Sequence, residues 1–139
     1  MIEYHYESDF KLEGEKDFTD WITRILGTEK LVLGPIVFVF CTDGYLLEMN
    51  KKYLDHDTFT DIITFDYTEG EVLSGDVFIS TDRLRENAAT FGVSFREELL
   101  RVMAHGVLHL MGYKDKTEVD KKLMRKKENE MIGMFHVEH

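Results

Sequence analysis

The sequence predicts an α+β domain, a small mixed four-stranded sheet packed with about five helices, and three observations carry that expectation. Short strand-like runs punctuate the first 80 residues. The chain beyond them has helical spacing almost throughout. One of those later helices, "SFREELLRVMAHGVLHLMG", is apolar on nearly every side past Val102, which places it in the core with whatever its two histidines do.

The elements follow in order. "IEYHYE" alternates, with Ile2, Tyr4 and Tyr6 on one face of a strand. "KDFTDWITRIL" has helical spacing at Phe18, Trp21, Ile22 and Ile25, with Asp17 as its N-terminal cap. "PIVFVFC" is a continuously apolar run and reads as a buried strand starting after Pro35. "TDGYLLEMNKKYL" opens on a capping residue and continues as a helix packed on the sheet. "TDIITFDY" and "SGDVFIS" are two further strands joined by the polar turn "TEGEVL". "STDRLRENAATFG" is a helix stopped by Gly92. Ser94 and Glu97 make a capping-box pattern, and Gly112 ends the helix they start about five turns later. The tail, "TEVDKKLMRKKENEMIGMF", repeats apolar residues at Val119, Leu123, Met124, Met131 and Met134. Lys121, Lys122, Arg125 and Lys126 form its wet side. With no repeats and no linker, residues 1–139 read as one domain.

Composition narrows the function classes. No apolar run approaches the roughly 20 residues of a bilayer crossing, and "MIEYHYESDF" lacks the basic start and apolar segment of a signal peptide. Cys41 is the single cysteine, so no internal disulfide forms, and a reducing, cytoplasmic setting fits. The net charge of −10 excludes a protein that coats nucleic acid, because the overall field repels phosphate. Any action on RNA then needs a local positive site or a bound cation. From Lys114 onward the basic residues slightly outnumber the acidic ones, so the acidity lies earlier in the chain.

The chemistry concentrates in "HGVLHLMGYKD". Residues 105, 108, 109 and 112 share one helical face, so the imidazoles of His105 and His109 point the same way. Each buried imidazole needs partners for two nitrogens. A metal satisfies one nitrogen per ring and leaves the other for a neighbouring acceptor; the alternative is a structural polar pair. Two ligands are too few for zinc. Gly112 lets the chain turn back, and Asp115 is the first carboxylate beyond that turn, either a third ligand or an exposed turn aspartate. Gly106 costs about 1 kcal/mol relative to alanine inside a helix, which implies close approach of another backbone or a substrate. It also stands where a zinc peptidase places its glutamate base, which argues against peptide hydrolysis.

The same stretch resembles the signature of the YbeY family, bacterial endoribonucleases also described as ribosomal RNA maturation factors, at His105, Gly106, Leu108, His109, Leu110, Gly112 and Tyr113. "MNKKYLDHDTFTDIITF" resembles a second family segment at Asn50, Tyr53, Thr60, Asp61 and Phe65. "SGDVFIS" resembles a third at Gly75, Asp76, Val77 and Ile79. The three occur in the family's order across roughly residues 45 to 115. The resemblance implies a small mixed sheet with helices around it and one divalent ion, Zn2+ or another, held by the histidine helix. It implies single-strand-specific cleavage of RNA in ribosomal RNA maturation (16S 3′ end processing and ribosome quality control). The implied partners are single-stranded RNA and the ribosome or its proteins, with no membrane and no DNA.

Two departures qualify it. Asp115 stands where the family has its third metal-binding histidine, with Lys114 in place of the aspartate before it. A carboxylate binds zinc at nearly the same distance as imidazole, so an aspartate can stand in, leaving the site less positive by one unit. Leu54 stands where the family has an arginine thought to act in RNA cleavage, and leucine offers phosphate nothing. Lys51, Lys52 and His56 lie close by in sequence and either supply that charge or are solvated loop residues. Asp61 orients a ligand histidine, or activates water, or caps backbone amides. Arg83, Arg85, Arg96 and Arg101 offer a basic groove, Arg83 and Arg101 above all as substrate-binding candidates, or belong to a salt-bridged helix surface. The lysine-rich face of the tail either docks RNA or a ribosomal protein or is only solvated. The rival to an enzyme is a ribosome-associated maturation factor with a structural metal, which needs a fourth ligand such as His5, His136 or His139; a metallopeptidase is the third reading.

Overall fold

The computed structural model describes residues 1–54 and 60–135. The chain runs β1 (Ile2–Glu7), α1 (Glu15–Thr28), β2 (Val32–Cys41), α2 (Asp43–Leu54), β3 (Ile62–Asp66), β4 (Val72–Ser80), α3 (Thr81–Phe91), α4 (Phe95–Leu110) and α5 (Glu118–Ile132). The strands form one mixed sheet in the order β1-β2-β4-β3. β2 pairs in parallel with β1 and β4, and β3 closes the edge as an antiparallel hairpin with β4. The expected class, α+β with four strands and five helices, is what the chain adopts. Among the described residues no helix is long and apolar enough to cross a membrane.

One sheet face carries the main core. Ile36, Phe38 and Phe40 of β2 and Val77 and Ile79 of β4 pack with Trp21 and Ile22 of α1 and with Met103, Ala104 and Val107 of α4. The other face is covered by α2, where Leu46 packs with Cys41 and Ile63. α5 lies over α1 and α4, tied down by the Trp21 indole, whose Nε1–H donates to the Met131 carbonyl at 2.7 Å. That places α4 against the sheet on one side and α5 on the other.

Several element ends differ from expectation. Gly14, left-handed at φ 79°, takes the cap position of α1, and Asp17 sits in the first turn instead. β2 starts at Val32, before Pro35, because a register shift between Leu33 and Ile36 absorbs the missing N–H of the proline. On α5, Val119 and Leu123 are exposed, and the buried face is Met124, Glu128 and Met131. Ser94 does cap α4, accepting from the Glu97 amide at 3.0 Å, and Thr117 forms a full capping box with Asp120 at the start of α5.

The glycine at 106 has a packing cause. A Cβ there would stand 2.8 Å from Val77 Cγ1 and 3.0 Å from Ile62 Cδ1. The close neighbours are sheet side chains rather than a backbone, and the absent side chain lets α4 settle onto the β3–β4 hairpin.

Candidate metal centre

α4 brings His105 and His109 together one turn apart, and the way it ends brings Asp115 to them. Gly112 takes φ 99°, the Gly112 amide bonds back to the His109 carbonyl at 3.0 Å, and the Tyr113 amide bonds to the Leu108 carbonyl at 3.0 Å. This paired closure is the glycine-terminated helix end of the Schellman type. It turns the chain so that Asp115 Oδ2 lies 3.2 Å from His105 Nε2 and 3.5 Å from His109 Nε2. The two Nε2 atoms are 2.9 Å apart.

The outer nitrogens fix the tautomers. His109 Nδ1 lies 3.1 Å from the Tyr113 carbonyl oxygen, which can only accept, so that nitrogen carries the hydrogen. His105 Nδ1 donates to Glu128 Oε2 at 2.7 Å. In its neutral form each ring therefore turns a bare lone pair inward, toward an aspartate oxygen that is also an acceptor. Three acceptors converging within hydrogen-bond distance repel one another unless a cation or an added proton lies between them. Ligands of a tetrahedral zinc ion with bonds of about 2.0–2.1 Å stand roughly 3.3 Å apart, and the three separations here bracket that value. The donor set fits a divalent ion.

Around this set the positions are held from several elements. Glu128, buried on α5, also binds Arg101 of α4 (Oε1 to Nη1, 3.1 Å), and Arg101 reaches Asn129 Oδ1 at 3.1 Å. Tyr113 is steadied by Glu29, just past α1, through its hydroxyl at 3.3 Å. Burial acts to lower the pKa of both histidines. On His105 it is outweighed by Glu128, Asp115 and Asp61, which hold the ring above the ordinary range. On His109 burial prevails, helped by the charge of His105, and the ring stays below it, in the neutral form a metal needs.

The group opens into a pocket of about 330 Å³ lined by Asp61, Glu98, Arg101, Lys121, Arg125 and Glu128 among others. Burial raises the Asp61 carboxyl above its usual range, opposed by the nearby His105. Among the described residues, His105, His109 and Asp115 are the one group of three or more His, Cys, Asp or Glu able to share an ion. His5 does not join it: it lies on β1 at the far edge of the sheet, paired with Glu3 at 3.3 Å. His136 and His139 fall outside the described residues, as does His56.

The other candidates divide. Asp61 and Arg101 line the pocket. Arg83 does not; its Nε binds both Asp43 oxygens at 3.1 Å and its Nη2 reaches Glu86, fastening α3 to α2. Arg85 pairs with Asp9 and Asp82, and Arg96 lies over Phe135, 4.8 Å from the ring centroid. Lys52 is on α2, 5.2 Å from the Tyr53 ring centroid, and lines no part of the pocket. Sequence reading passed over Glu128 and Glu98. Glu128 had a signal, since it sits four residues after Met124 and three before Met131, on the buried stripe of α5.

The comparisons with known proteins bear on the same residues. A family profile described as "Endoribonuclease YbeY" matches residues 3–136. The chain belongs to the YbeY family. It is 54% identical over 138 residues to an endoribonuclease YbeY of Flavobacterium johnsoniae, covering 99% of both chains. It is 50% identical over 137 residues to that of Flavobacterium psychrophilum, covering 99% of this chain and 98% of the relative. A solution structure of a Thermotoga maritima protein superposes with a TM-score of 0.66 at 24% identity, over 97% of this chain and 89% of that one, which shows a shared fold. The YbeY match takes in the histidine helix, the hairpin that Gly106 packs against, and α5 with Glu128.

Proposed function

We propose that this YbeY-family chain is a single metal-dependent hydrolase domain that cleaves single-stranded RNA in ribosomal RNA maturation. His105, His109 and Asp115 hold the ion, and zinc suits two imidazoles and one carboxylate best. The observation that carries the reading is the three-donor group with Asp115 41% exposed at its solvent side. Three protein ligands and an open position describe a catalytic site, whereas a structural one is closed by four. The bound ion would polarise a phosphate oxygen and acidify a water.

The chain's own side chains supply the rest. Glu128 and the Tyr113 carbonyl keep each Nδ1 protonated, so each Nε2 stays available. Asp61, with its raised affinity for protons, is a carboxylate in the pocket suited to take a proton from an attacking oxygen. Gly106 lies against Val77 and Ile62, leaving no glutamate base for peptide hydrolysis. Ribosomal RNA as the substrate, the ribosome as the partner and the cytoplasm as the setting are what the motif resemblance implies for this chain, and the endoribonuclease name of its relatives supports RNA as the substrate class.

The test compares purified protein with His109→Ala and with chelator-treated protein on labelled single-stranded RNA. Cleavage by the first, lost in the other two and restored by zinc, is the expected result. Equal activity in all three, or none in any, removes the enzymatic reading and leaves a maturation factor with a structural metal.

A further inference from the structure

Two basic side chains face the same pocket from α5 and have no work there that the fold explains. Lys121 and Arg125 are four residues apart, hence on one helical face, and both line the pocket with His105 and Asp115. Their neighbours on the helix, Lys122 and Lys126, do not. Neither the Lys121 nor the Arg125 side chain makes a hydrogen bond among the described residues. Each has one ion pair at 3.8 Å, with Glu118 and Glu128 respectively, and their side chains are 59% and 61% exposed. Arg101 differs: it is 22% exposed and bound to Glu128 and Asn129.

The charge balance says what such groups are for. Asp61, Glu98, Asp115 and Glu128 line the pocket against Arg101, Lys121 and Arg125. Protein charges alone leave it net negative, and with a divalent ion it becomes positive. A phosphodiester strand at the ion would meet repulsion from the inner carboxylates unless its neighbouring phosphates were held away from them. Lys121 and Arg125 stand on α5 at the solvent side of that ring, with side-chain donors unspent.

We propose that Lys121 and Arg125 are a phosphate clamp, binding the RNA backbone beside the phosphate to be cleaved and fixing the strand across the pocket from α5. This deepens the nuclease reading and rests on it. The clamp acts in binding, so its effect appears without any turnover.

The experiment measures anisotropy of a short labelled 2′-O-methyl oligouridylate, checked for intactness afterwards, over a salt series. Wild type is compared with Lys121→Ala/Arg125→Ala and with Lys122→Ala/Lys126→Ala, which removes the same charge from the same helix outside the pocket. Circular dichroism verifies that each folds. The clamp predicts a loss on the order of tenfold at low salt for the first pair, with a salt slope shallower by about 1.4, since each single-strand phosphate contact contributes about 0.7. The control pair should shift affinity little. Equal losses in both pairs would mean a general field effect and overturn the clamp, as would no loss in either. If wild type cleaves and binds RNA while both pairs behave alike, the clamp alone is lost; if wild type neither binds nor cleaves, the nuclease reading goes with it.

Discussion

Glu128 holds His105 from another helix: its Oε2 lies 2.7 Å from the ring's Nδ1, while its Oε1 takes Arg101 Nη1 at 3.1 Å. The carboxylate thus fixes the ring's tautomer and adds electron density to the nitrogen that faces a metal. Glu128→Gln keeps the shape and removes the charge. It should weaken zinc affinity about 10- to 100-fold, the usual effect of removing such a partner. Competition against a chromophoric chelator measures this, and unchanged affinity would show that Glu128 serves α5 packing alone.

Of the three proposed ligands, Asp115 has the most solvent, its side chain 41% exposed against 22% and 26% for the two histidines. Asp115→Asn keeps the volume but replaces an anionic donor with a weak neutral one, so metal content after dialysis should fall well below one per chain. Asp115→His offers a neutral nitrogen at a similar reach and should retain more metal than the asparagine variant. Metal analysis of the two proteins, purified identically, decides it; equal retention would remove Asp115 from the ligand set.

Gly106→Ala sets two effects against each other. Alanine gains about 1 kcal/mol of helix propensity, but its Cβ would meet Val77 Cγ1 at 2.8 Å, and Val77 is branched and stiff. Overpacking of this kind costs about 1–3 kcal/mol, so the variant should be less stable by about 1 kcal/mol in urea unfolding. Val77→Ala in the Gly106→Ala background should recover part of that loss. A variant more stable than wild type would mean that the hairpin shifts freely away from α4.

How far the sequence foretold this site depends on how local each signal was. The histidine pair and the turn to Asp115 are written within 11 residues, "HGVLHLMGYKD", and spacing alone places them. The sheet pairing was legible where strands are regular, but β2 hid its first residues behind Gly34 and Pro35, because the register shift that admits a proline leaves no periodic trace. Glu128 sits in "RKKENE", where a buried carboxylate looks like its solvated neighbours; its spacing from Met124 and Met131 hints at burial, but its role comes from His105 and Arg101 on another helix. Lys121 and Arg125 were read as part of a wet face that either docks RNA or a ribosomal protein or is only solvated; they are exposed, yet the pocket they look into is completed by α4 and by Asp61 ahead of β3, which no helical wheel contains. Val119 and Leu123 kept the apolar repeat without burial, because the buried stripe of α5 runs through Met124, Glu128 and Met131 and leaves both off it.

Cys41 should be inert in the folded protein. It is fully buried at the end of β2, and burial, with Asp43, Asp82 and Glu7 nearby, pushes its thiol up to about 12. The thiolate is the reactive form, so a disulfide-based thiol reagent at about pH 8 should label no cysteine until denaturant is added, then one per chain. Rapid native labelling would mean that the β2–α2 junction opens readily.

Glu98 makes stability depend on pH in a definite direction. It is 5% exposed at the pocket wall, and no hydrogen bond or ion pair joins its carboxyl to another described residue. Burial raises its pKa above 4.5, with Asp61 and Glu128 adding to the rise and Arg101 and Arg125 opposing it. A carboxyl raised on folding contributes its full stability below the unfolded pKa and loses it as pH climbs through the folded one, because the unfolded chain then ionises more readily. Glu98→Gln removes that loss while keeping the shape. In metal-free protein the variant should therefore be more stable than wild type at about pH 7–8, by about 1 kcal/mol or about 3 °C in Tm. The advantage should shrink toward zero as pH approaches about 4, where both proteins are neutral at this position. Thermal melts across that range measure the difference, and an advantage that grows toward acid would mean that the ionised Glu98 is held by Arg101 and Arg125 after all.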